Sequence, residues 1–209
     1  MQTPTQTPMP RSDRRLFLAG IVGLGAAALV PGAARAELTL EDARRLIDQV
    51  VSEINEVINS GKSEEAMYRD FRRIMEKYAD VPIVAQSALG VAWRRATPAQ
   101  RAAYVEAFKD YISRKYGSRF RQFIGGAIEV RDTRKVKSFY EVITIARLRG
   151  EEPFEVRFLV SDKRGRPLFF NLIIEGVNML ATERTEIQAM LEQRRGNIDL
   201  LIQDLRKAA

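Results

Sequence analysis

The spacing of apolar residues changes twice along this chain, and no other feature restricts its fold as much. Up to Gly125, apolar residues recur every three or four positions, as they do along one face of a helix. From Ala127 to Val177 they follow the pattern of strands, and after Asn178 the helical spacing returns. Helices, then strands, then helices indicate an α+β fold in which amphipathic helices pack on a sheet.

Cap and stop residues mark the ends of the helices. Helices are expected to begin after four residues that commonly cap helix N-termini: Thr39, Ser63, Thr97 and Asn197. Another helix is expected to begin near Leu180, where the helical spacing returns. Gly61, Gly117 and Gly196 are expected to end helices. A further short helix is predicted from Ile83 to Trp93, with Pro82 at its first turn.

The middle of the chain predicts four strands. They cover residues 127–136, 139–148, 154–160 and 166–177, which are rich in Val, Ile, Thr and aromatic side chains. Because the connections are short, consecutive strands are expected to pair in an antiparallel meander. The predicted fold is therefore a curved four-stranded antiparallel sheet with amphipathic helices packed on it.

The last predicted strand is apolar on both faces. One face is expected to carry Leu168, Phe170, Leu172 and Ile174, and the other Phe169, Ile173 and Val177. A strand at the surface would alternate apolar with polar residues. We therefore expect one face to meet the helices and the other to meet whatever packs behind the sheet.

The chain lacks cysteine and histidine, which removes several kinds of chemistry. Thiol nucleophiles, Ser-His-Asp triads and soft metal sites are excluded. Phosphate-binding loops and metal-ligand spacings are not found either. Glu175, inside the apolar strand, is the one carboxylate that suggests catalysis, as a buried general base. The alternative function is therefore an enzyme with a cone-shaped α+β pocket like that of the NTF2-like isomerases and dehydratases, although no second acid or base accompanies Glu175.

The N-terminus resembles an export signal. Arg14 and Arg15 precede an apolar run from Leu16 to Val30, and the small residues Ala34 and Ala36 flank a cleavage site. The paired arginines resemble a twin-arginine signal. We predict that residues 1–36 are an export signal cleaved after Ala36, that residues 37–209 form a single domain, and that the mature protein is periplasmic.

Removing residues 1–36 also lowers the net charge. The whole chain carries +7, whereas residues 37–209 contain 30 basic and 26 acidic side chains, a net charge of +4. A charge this small, spread over a periplasmic protein, argues against nucleic-acid binding. A third hypothesis is an adaptor whose basic segments, Arg114-Lys115, Arg119 to Arg121 and Arg131 to Lys137, dock an acidic partner.

Aromatic side chains are numerous on both the helical and the strand segments. Most are expected to form the core, but a sheet flanked by amphipathic helices can also enclose an apolar pocket. Such a pocket suits a lipid tail, because each buried methylene contributes roughly 0.8 kcal/mol.

Three segments resemble the MlaC family of periplasmic phospholipid-binding proteins. They are Trp93 to Arg101, Phe108 to Ile112 and Phe170 to Met179. The similarity extends roughly from Leu40 to Leu205. Three places depart from the family pattern. Asn171 stands where the family usually has Asp, Asn178 stands where it usually has Ser, and the Tyr-Arg that often follows is replaced around Thr182 to Arg184.

The resemblance implies a monomeric lipid carrier that performs no catalysis and needs no cofactor beyond its bound lipid. Its cargo would be a phospholipid, or a hopanoid-type lipid, since some relatives accompany hopanoid systems. Its partners would be the inner-membrane lipid-binding ring protein of an ABC transporter and an outer-membrane lipoprotein complex. Chosen by face and by this resemblance, the expected lipid-binding residues are Phe71, Ile74, Trp93, Phe108, Ile112, Val142, Phe158, Leu172, Ile174 and Val177.

Overall fold

Helices and strands follow one another in the predicted order in the computed structural model, which describes residues 37–117 and 122–208. The helices are α1 Leu40–Ile58, α2 Glu64–Tyr78, α3 Val81–Leu89, α4 Ala92–Arg95, α5 Pro98–Gly117, α6 Met179–Gln193 and α7 Ile198–Lys207. The strands are β1 Ala127–Val136, β2 Phe139–Arg147, β3 Phe154–Ser161, β4 Leu168–Ile174 and β5 Val177–Asn178. The predicted export signal and the basic segment Arg119 to Arg121 lie outside the described residues.

The predicted caps form the expected hydrogen bonds. Thr39 and Asp42 form a reciprocal capping box at the start of α1, and the side chain of Ser63 accepts from the Ala66 N–H in α2. The side chain of Asn197 accepts from the third N–H of α7. Asn178, which is not among the predicted caps, accepts in the same way from the third N–H of α6. Caps of this kind each stabilise a helix by about 1 kcal/mol, which explains why these starts could be located from sequence.

The single helix predicted from Ile83 to Trp93 is wrong, because Gly90 divides it into α3 and α4. Gly90 has a φ of 60°, which a residue with a side chain rarely adopts. The Gln188 side chain donates to the carbonyls of Ala88 and Leu89, at 2.9 and 2.8 Å. These bonds satisfy carbonyls that the end of α3 leaves without a helical partner.

The sheet is antiparallel in the order β1-β2-β3-β4-β5. The predicted count of four strands is therefore wrong. Glu175 and Gly176 form a two-residue turn with φ values of 49° and 82°, the positive pair that a type I′ hairpin requires. The chain therefore folds back as β5 before α6. A two-residue strand is too short for its periodicity to be recognised in a sequence.

A bulge in β4 changes which side chains share a face. Leu159 pairs with Asn171, whereas Val160 pairs with Phe169, so Phe170 is an extra residue in the ladder. Phe169 therefore lies on the same face as Leu172 and Ile174, contrary to the strict alternation expected from sequence. The contact between the Phe158 and Phe169 rings, whose centroids are 5.5 Å apart, agrees with this assignment.

The helices cover one face of the sheet, called here the inner face. Helix α1 packs directly on β1, β2 and β3, while α3 and α6 contact β4. Helix α5 packs against α2, α3 and α7. The buried core lies between these layers and includes Ile47, Val50, Phe108, Val142 and Val160.

The β1 edge of the sheet, and the part of β4 that β5 does not cover, have partners from outside the strands. At β1, the Asn55 side chain donates to the carbonyl of Ile128 and accepts from its N–H, both at 3.0 Å. At β4, Ala79 forms a parallel bridge with Phe169, and the Asp80 N–H donates to the Phe169 carbonyl at 2.8 Å. These contacts satisfy edge groups that would otherwise be open to another strand.

Candidate functional site

The sheet brings five of the expected lipid-binding residues together. Val142, Phe158 and Leu172 lie directly opposite one another across β2, β3 and β4. Ile174 and Val177 flank the β4–β5 turn and belong to the next row, which Val156 joins. Side chains that are directly opposite in antiparallel strands lie on the same face. The five residues therefore form one contiguous apolar area on the inner face.

Burial decreases along this apolar area. Val142 and Phe158 are buried, Leu172 and Ile174 are partly buried, and Val177 is 54% exposed. The inner face therefore runs from the sealed core to solvent at the β4–β5 turn.

The expected residues on the helices divide into two groups. Ile74, Phe108 and Ile112 are buried in the same core as the sheet residues, and Phe71 is partly buried in α2. Trp93 lies instead in α4, where the Arg101 guanidinium carbon is 5.3 Å from the centre of its ring. It packs against the core but also reaches the surface.

Two surface clefts flank Lys77. One, of about 320 Å³, lies between α1 and α2 and includes Ile74 in its wall. The other, of about 330 Å³, lies between α1, the end of α2 and the β3–β4 loop, and includes Arg166. Charged side chains make up much of both walls, so neither cleft is the apolar pocket expected between the sheet and the helices. That pocket stays a prediction.

Apart from Glu56, the charged side chains that line the first cleft are paired with one another. Lys62 and Arg73 both donate to Asp70, the latter at 2.9 Å. The hydrogen bond from Lys62 holds the pKa of Asp70 below its ordinary value. Lys77 and Tyr78 donate to Glu53 at 2.6 and 2.7 Å. Because these groups satisfy one another, the network explains how α1 and α2 are joined without requiring a ligand.

A buried polar cluster joins α5 to α6, and sequence reasoning missed it. Lys115 donates to Glu183 at 2.7 Å and also to Glu186, and Tyr116 donates to Glu183. Glu183 is only 3% exposed. Burial lowers the pKa of Lys115, but the hydrogen bonds that its ammonium donates to the two glutamates outweigh this effect, and the pKa is raised. Helical spacing alone carried no signal that Glu183 faces inward.

Two buried polar atoms beside this cluster have no protein partner in the described part of the chain. They are the Tyr104 hydroxyl and Oε2 of Glu183. Burial raises the pKa of Tyr104, and the charge on Glu183 raises it further. Orphaned polar atoms of this kind are often satisfied by an internal water molecule.

Glu175 does not have the surroundings expected of a general base. It is exposed, with its backbone N–H donating to the Glu155 carbonyl at 3.0 Å. Its place in the type I′ turn accounts for its position at the end of the strand. The structure therefore gives no support to the enzyme hypothesis that rested on a buried Glu175.

The described basic segments of the adaptor hypothesis are largely used inside the protein. Arg114 donates to the carbonyls of Leu205 and Ala208 at the end of α7. Arg134 donates to Glu141 from two nitrogens, at 2.9 and 2.6 Å. Such contacts leave these side chains little freedom to dock a partner.

The comparison with known proteins decides the family. Residues 44–207 match the family model described as MlaC protein. The chain belongs to the MlaC family. It is similar in structure to a phospholipid-binding protein from Ralstonia solanacearum that was solved in complex with a phospholipid. The two are 19% identical with a TM-score of 0.69, over 80% of this chain and 96% of that one.

Two negative findings accompany this assignment. Among α1 to α7, no helix combines the length and hydropathy that a membrane span needs. Across residues 37–117 and 122–208, no group of three or more carboxylates is arranged to hold a metal ion.

The MlaC-like segment from Trp93 to Arg101 forms a rigid corner between α4 and α5. Thr97 and Gln100 bond reciprocally across the start of α5, at 3.1 and 3.2 Å. Arg101 donates to the carbonyls of Trp93 and Arg94 at 3.0 and 3.3 Å, which caps the end of α4. The residues that carry the resemblance here therefore have a structural role.

Two of the departures from the MlaC pattern, Asn171 and Asn178, contact each other. Asn171 donates to the side-chain oxygen of Asn178 at 2.9 Å, and Asn178 accepts in turn from the Ala181 N–H. Asn171 Oδ1 accepts from the N–H groups of Leu172 and Leu180. The pair ties β4 to the start of α6.

Proposed function

We propose that this protein binds a lipid between the inner face of its sheet and its helices and carries it across the periplasm. Residues 37–209 would form the single lipid-binding domain, released from the export signal after Ala36. The carrier would work as a monomer and exchange phospholipid between an inner-membrane lipid-binding ring and an outer-membrane lipoprotein complex. No catalytic step is part of this function.

The apolar area on the inner face is the observation that carries the proposal. On β2, β3 and β4 this face has no charged side chain, and its one central polar group, the Thr144 hydroxyl, donates to the Val156 carbonyl at 2.8 Å. Acyl chains could therefore contact it without leaving a buried charge unpaired.

The decrease in burial towards Ile174 and Val177 gives the tails a direction of entry. Partly buried apolar side chains continue beyond these two residues, since the ring centres of Phe123 and Phe154 lie 6.4 Å apart at the same end of β3. We infer that tails enter at this end and displace side-chain contacts as they move inward.

Membership of the MlaC family and the phospholipid bound to the Ralstonia solanacearum protein support a phospholipid as the cargo. Mass spectrometry of lipid extracted from the purified protein tests this directly. We expect to recover a diacyl phospholipid. If a hopanoid-type lipid is recovered instead, the same pocket binds a different cargo. Protein that neither co-purifies with lipid nor takes it up from vesicles would disprove the proposal.

A pair of adjacent isoleucines provides a matched test of the inner face. Ile174 lies opposite Val156 on the inner face, and Ile173 lies opposite Arg157 on the other. Both are partly buried. We expect Ile174→Glu to lower the amount of lipid recovered per protein about tenfold or more, since a carboxylate among the tails would be left unpaired. Ile173→Glu should retain lipid, and circular dichroism would verify that both variants fold.

A further inference from the structure

The corner between α3 and α5 combines cations with an exposed apolar side chain. Residues 81–105 contain no Asp or Glu. Val91 protrudes from the turn after Gly90 and is 59% exposed, and the partly buried Trp93 follows it. Arg94 and Arg95 are exposed on α4.

Arg184, on α6, adds a third cation to this surface. Its guanidinium lies 3.6 Å from the point where Gly90 would carry a Cβ atom. We call Val91, Trp93, Arg94, Arg95 and Arg184 the basic corner.

The cations of the basic corner have no acidic partner. Within the described residues, no carboxylate lies within 4.0 Å of Arg94, Arg95 or Arg184. Elsewhere many surface cations are paired, as Lys77 is with Glu53 at 2.6 Å and Arg134 with Glu141 at 2.6 Å. Among the described residues Arg206 and Lys207 are unpaired too, but no exposed aromatic side chain accompanies them at the end of α7. Unpaired cations close together attract anions, because nothing nearby cancels their field.

The corner is also held in a fixed shape before any partner arrives. Arg101 caps α4 and lies over Trp93, and the reciprocal bonds of Thr97 and Gln100 fix the start of α5. Docking would therefore order few additional side chains, which lowers the entropic cost of binding.

We propose that the basic corner docks the protein onto an anionic phospholipid membrane. Guanidinium groups form paired hydrogen bonds with phosphate, and tryptophan favours the boundary between head groups and tails. Val91 and Trp93 enter that boundary while Arg94, Arg95 and Arg184 contact phosphates. This surface would bring a lipid carrier to its membrane, but it does not depend on the interior lipid site.

Vesicle binding tests the proposal, and Trp93 supplies a built-in reporter because it is the single tryptophan of the chain. The purified protein is mixed with one of two kinds of vesicle. One contains phosphatidylcholine alone, and the other contains phosphatidylcholine and phosphatidylglycerol in equal parts. We expect co-sedimentation and a blue shift of Trp93 emission only with phosphatidylglycerol, and loss of both at about 1 M salt, where the Debye length is about 3 Å.

Two charge-matched variants separate the corner from net charge. Arg94→Gln/Arg95→Gln should bind these vesicles roughly thirtyfold more weakly, since each cation near an anionic surface contributes about fivefold. Arg206→Gln/Lys207→Gln removes two exposed cations from the end of α7 and should bind like the unaltered protein.

Equal losses in the two variants would overturn the proposal. The proposal would also be overturned if the unaltered protein failed to bind phosphatidylglycerol vesicles. An acidic protein would then be the partner that the basic corner binds. The corner variant should still yield as much extracted lipid as the unaltered protein. A protein that binds vesicles but never contains lipid would contradict the proposed carrier and leave the basic corner standing.

Discussion

At the scale of single residues, the carboxylate of Glu183 is buried and has little contact with water. Burying a carboxylate is costly unless a partner compensates it, and removing one partner of a buried pair destabilises more than removing both. Lys115 and Tyr116 supply the compensation here. Glu186, bound to the same lysine, has a side chain that is 42% exposed and needs the partner less.

This difference predicts the order of three variants. Lys115→Met should lower the free energy of unfolding by about 3 kcal/mol, because it leaves Glu183 charged and buried. Lys115→Met/Glu183→Gln should recover much of that loss, whereas Glu186→Gln alone should cost less than about 1 kcal/mol. Urea denaturation of the three variants measures these values. If Lys115→Met and the double variant lose the same free energy of unfolding, Lys115 does not stabilise the protein by compensating the buried Glu183.

At the scale of secondary structure elements, the junction between β4 and α6 depends on the contact of Asn171 with Asn178. Both amide orientations are set by backbone N–H groups, which donate to Oδ1 of each side chain. The hydrogen bond between the two side chains therefore needs an N–H donor at position 171, because Asn178 presents its oxygen to it.

Restoring the residues usual in the family should be harmful singly and tolerated together. Asn171→Asp places a carboxylate against the oxygen of Asn178, and we expect a loss of about 1–2 kcal/mol in unfolding free energy. Asn171→Asp/Asn178→Ser provides a hydroxyl donor and should recover most of it. A double-mutant cycle by chemical denaturation measures the coupling. Additive effects of the two substitutions would argue against a direct contact.

At the scale of the whole molecule, a lipid held between the sheet and the helices would add to the stability of the fold. A ligand that binds only the folded state stabilises it by about 2.7 kcal/mol at a hundred times its Kd. Removing the lipid should therefore lower the melting temperature, and adding phospholipid back should restore it.

Ile174→Glu provides the control for this experiment, because its melting temperature should not respond to added phospholipid. An unaltered protein whose melting temperature is the same with and without lipid would place any bound lipid outside the folded core.

Much of the fold could be predicted because its signals are local. Thr39, Ser63 and Asn197 cap helices through bonds that span three residues, and the apolar period identifies each long element without knowledge of its neighbours. β5 and the break at Gly90 were missed, because two residues show no period and one glycine inside an apolar helical pattern does not require an end.

The candidate site could be predicted only in part, for a similar reason. Apolar patterns on three separate strands predict the lipid-binding residues Val142, Phe158 and Leu172. The register of the sheet places these three side by side. The sequence predicts Trp93 in the same site, but the structure places it at the surface corner, where it contacts Arg101. Spacing along a strand or helix indicates a buried face but not what that face meets.

The sequence by itself determined the α+β class, most helix starts and the apolar segments that became the sheet, since these depend on interactions between residues a few positions apart. Only the tertiary structure decided that the bulge at Phe170 reverses the alternation in β4, that Glu183 meets Lys115, and that Arg94 and Arg95 have no acidic partner. These features depend on which distant segments come into contact, and packing of the whole chain settles that.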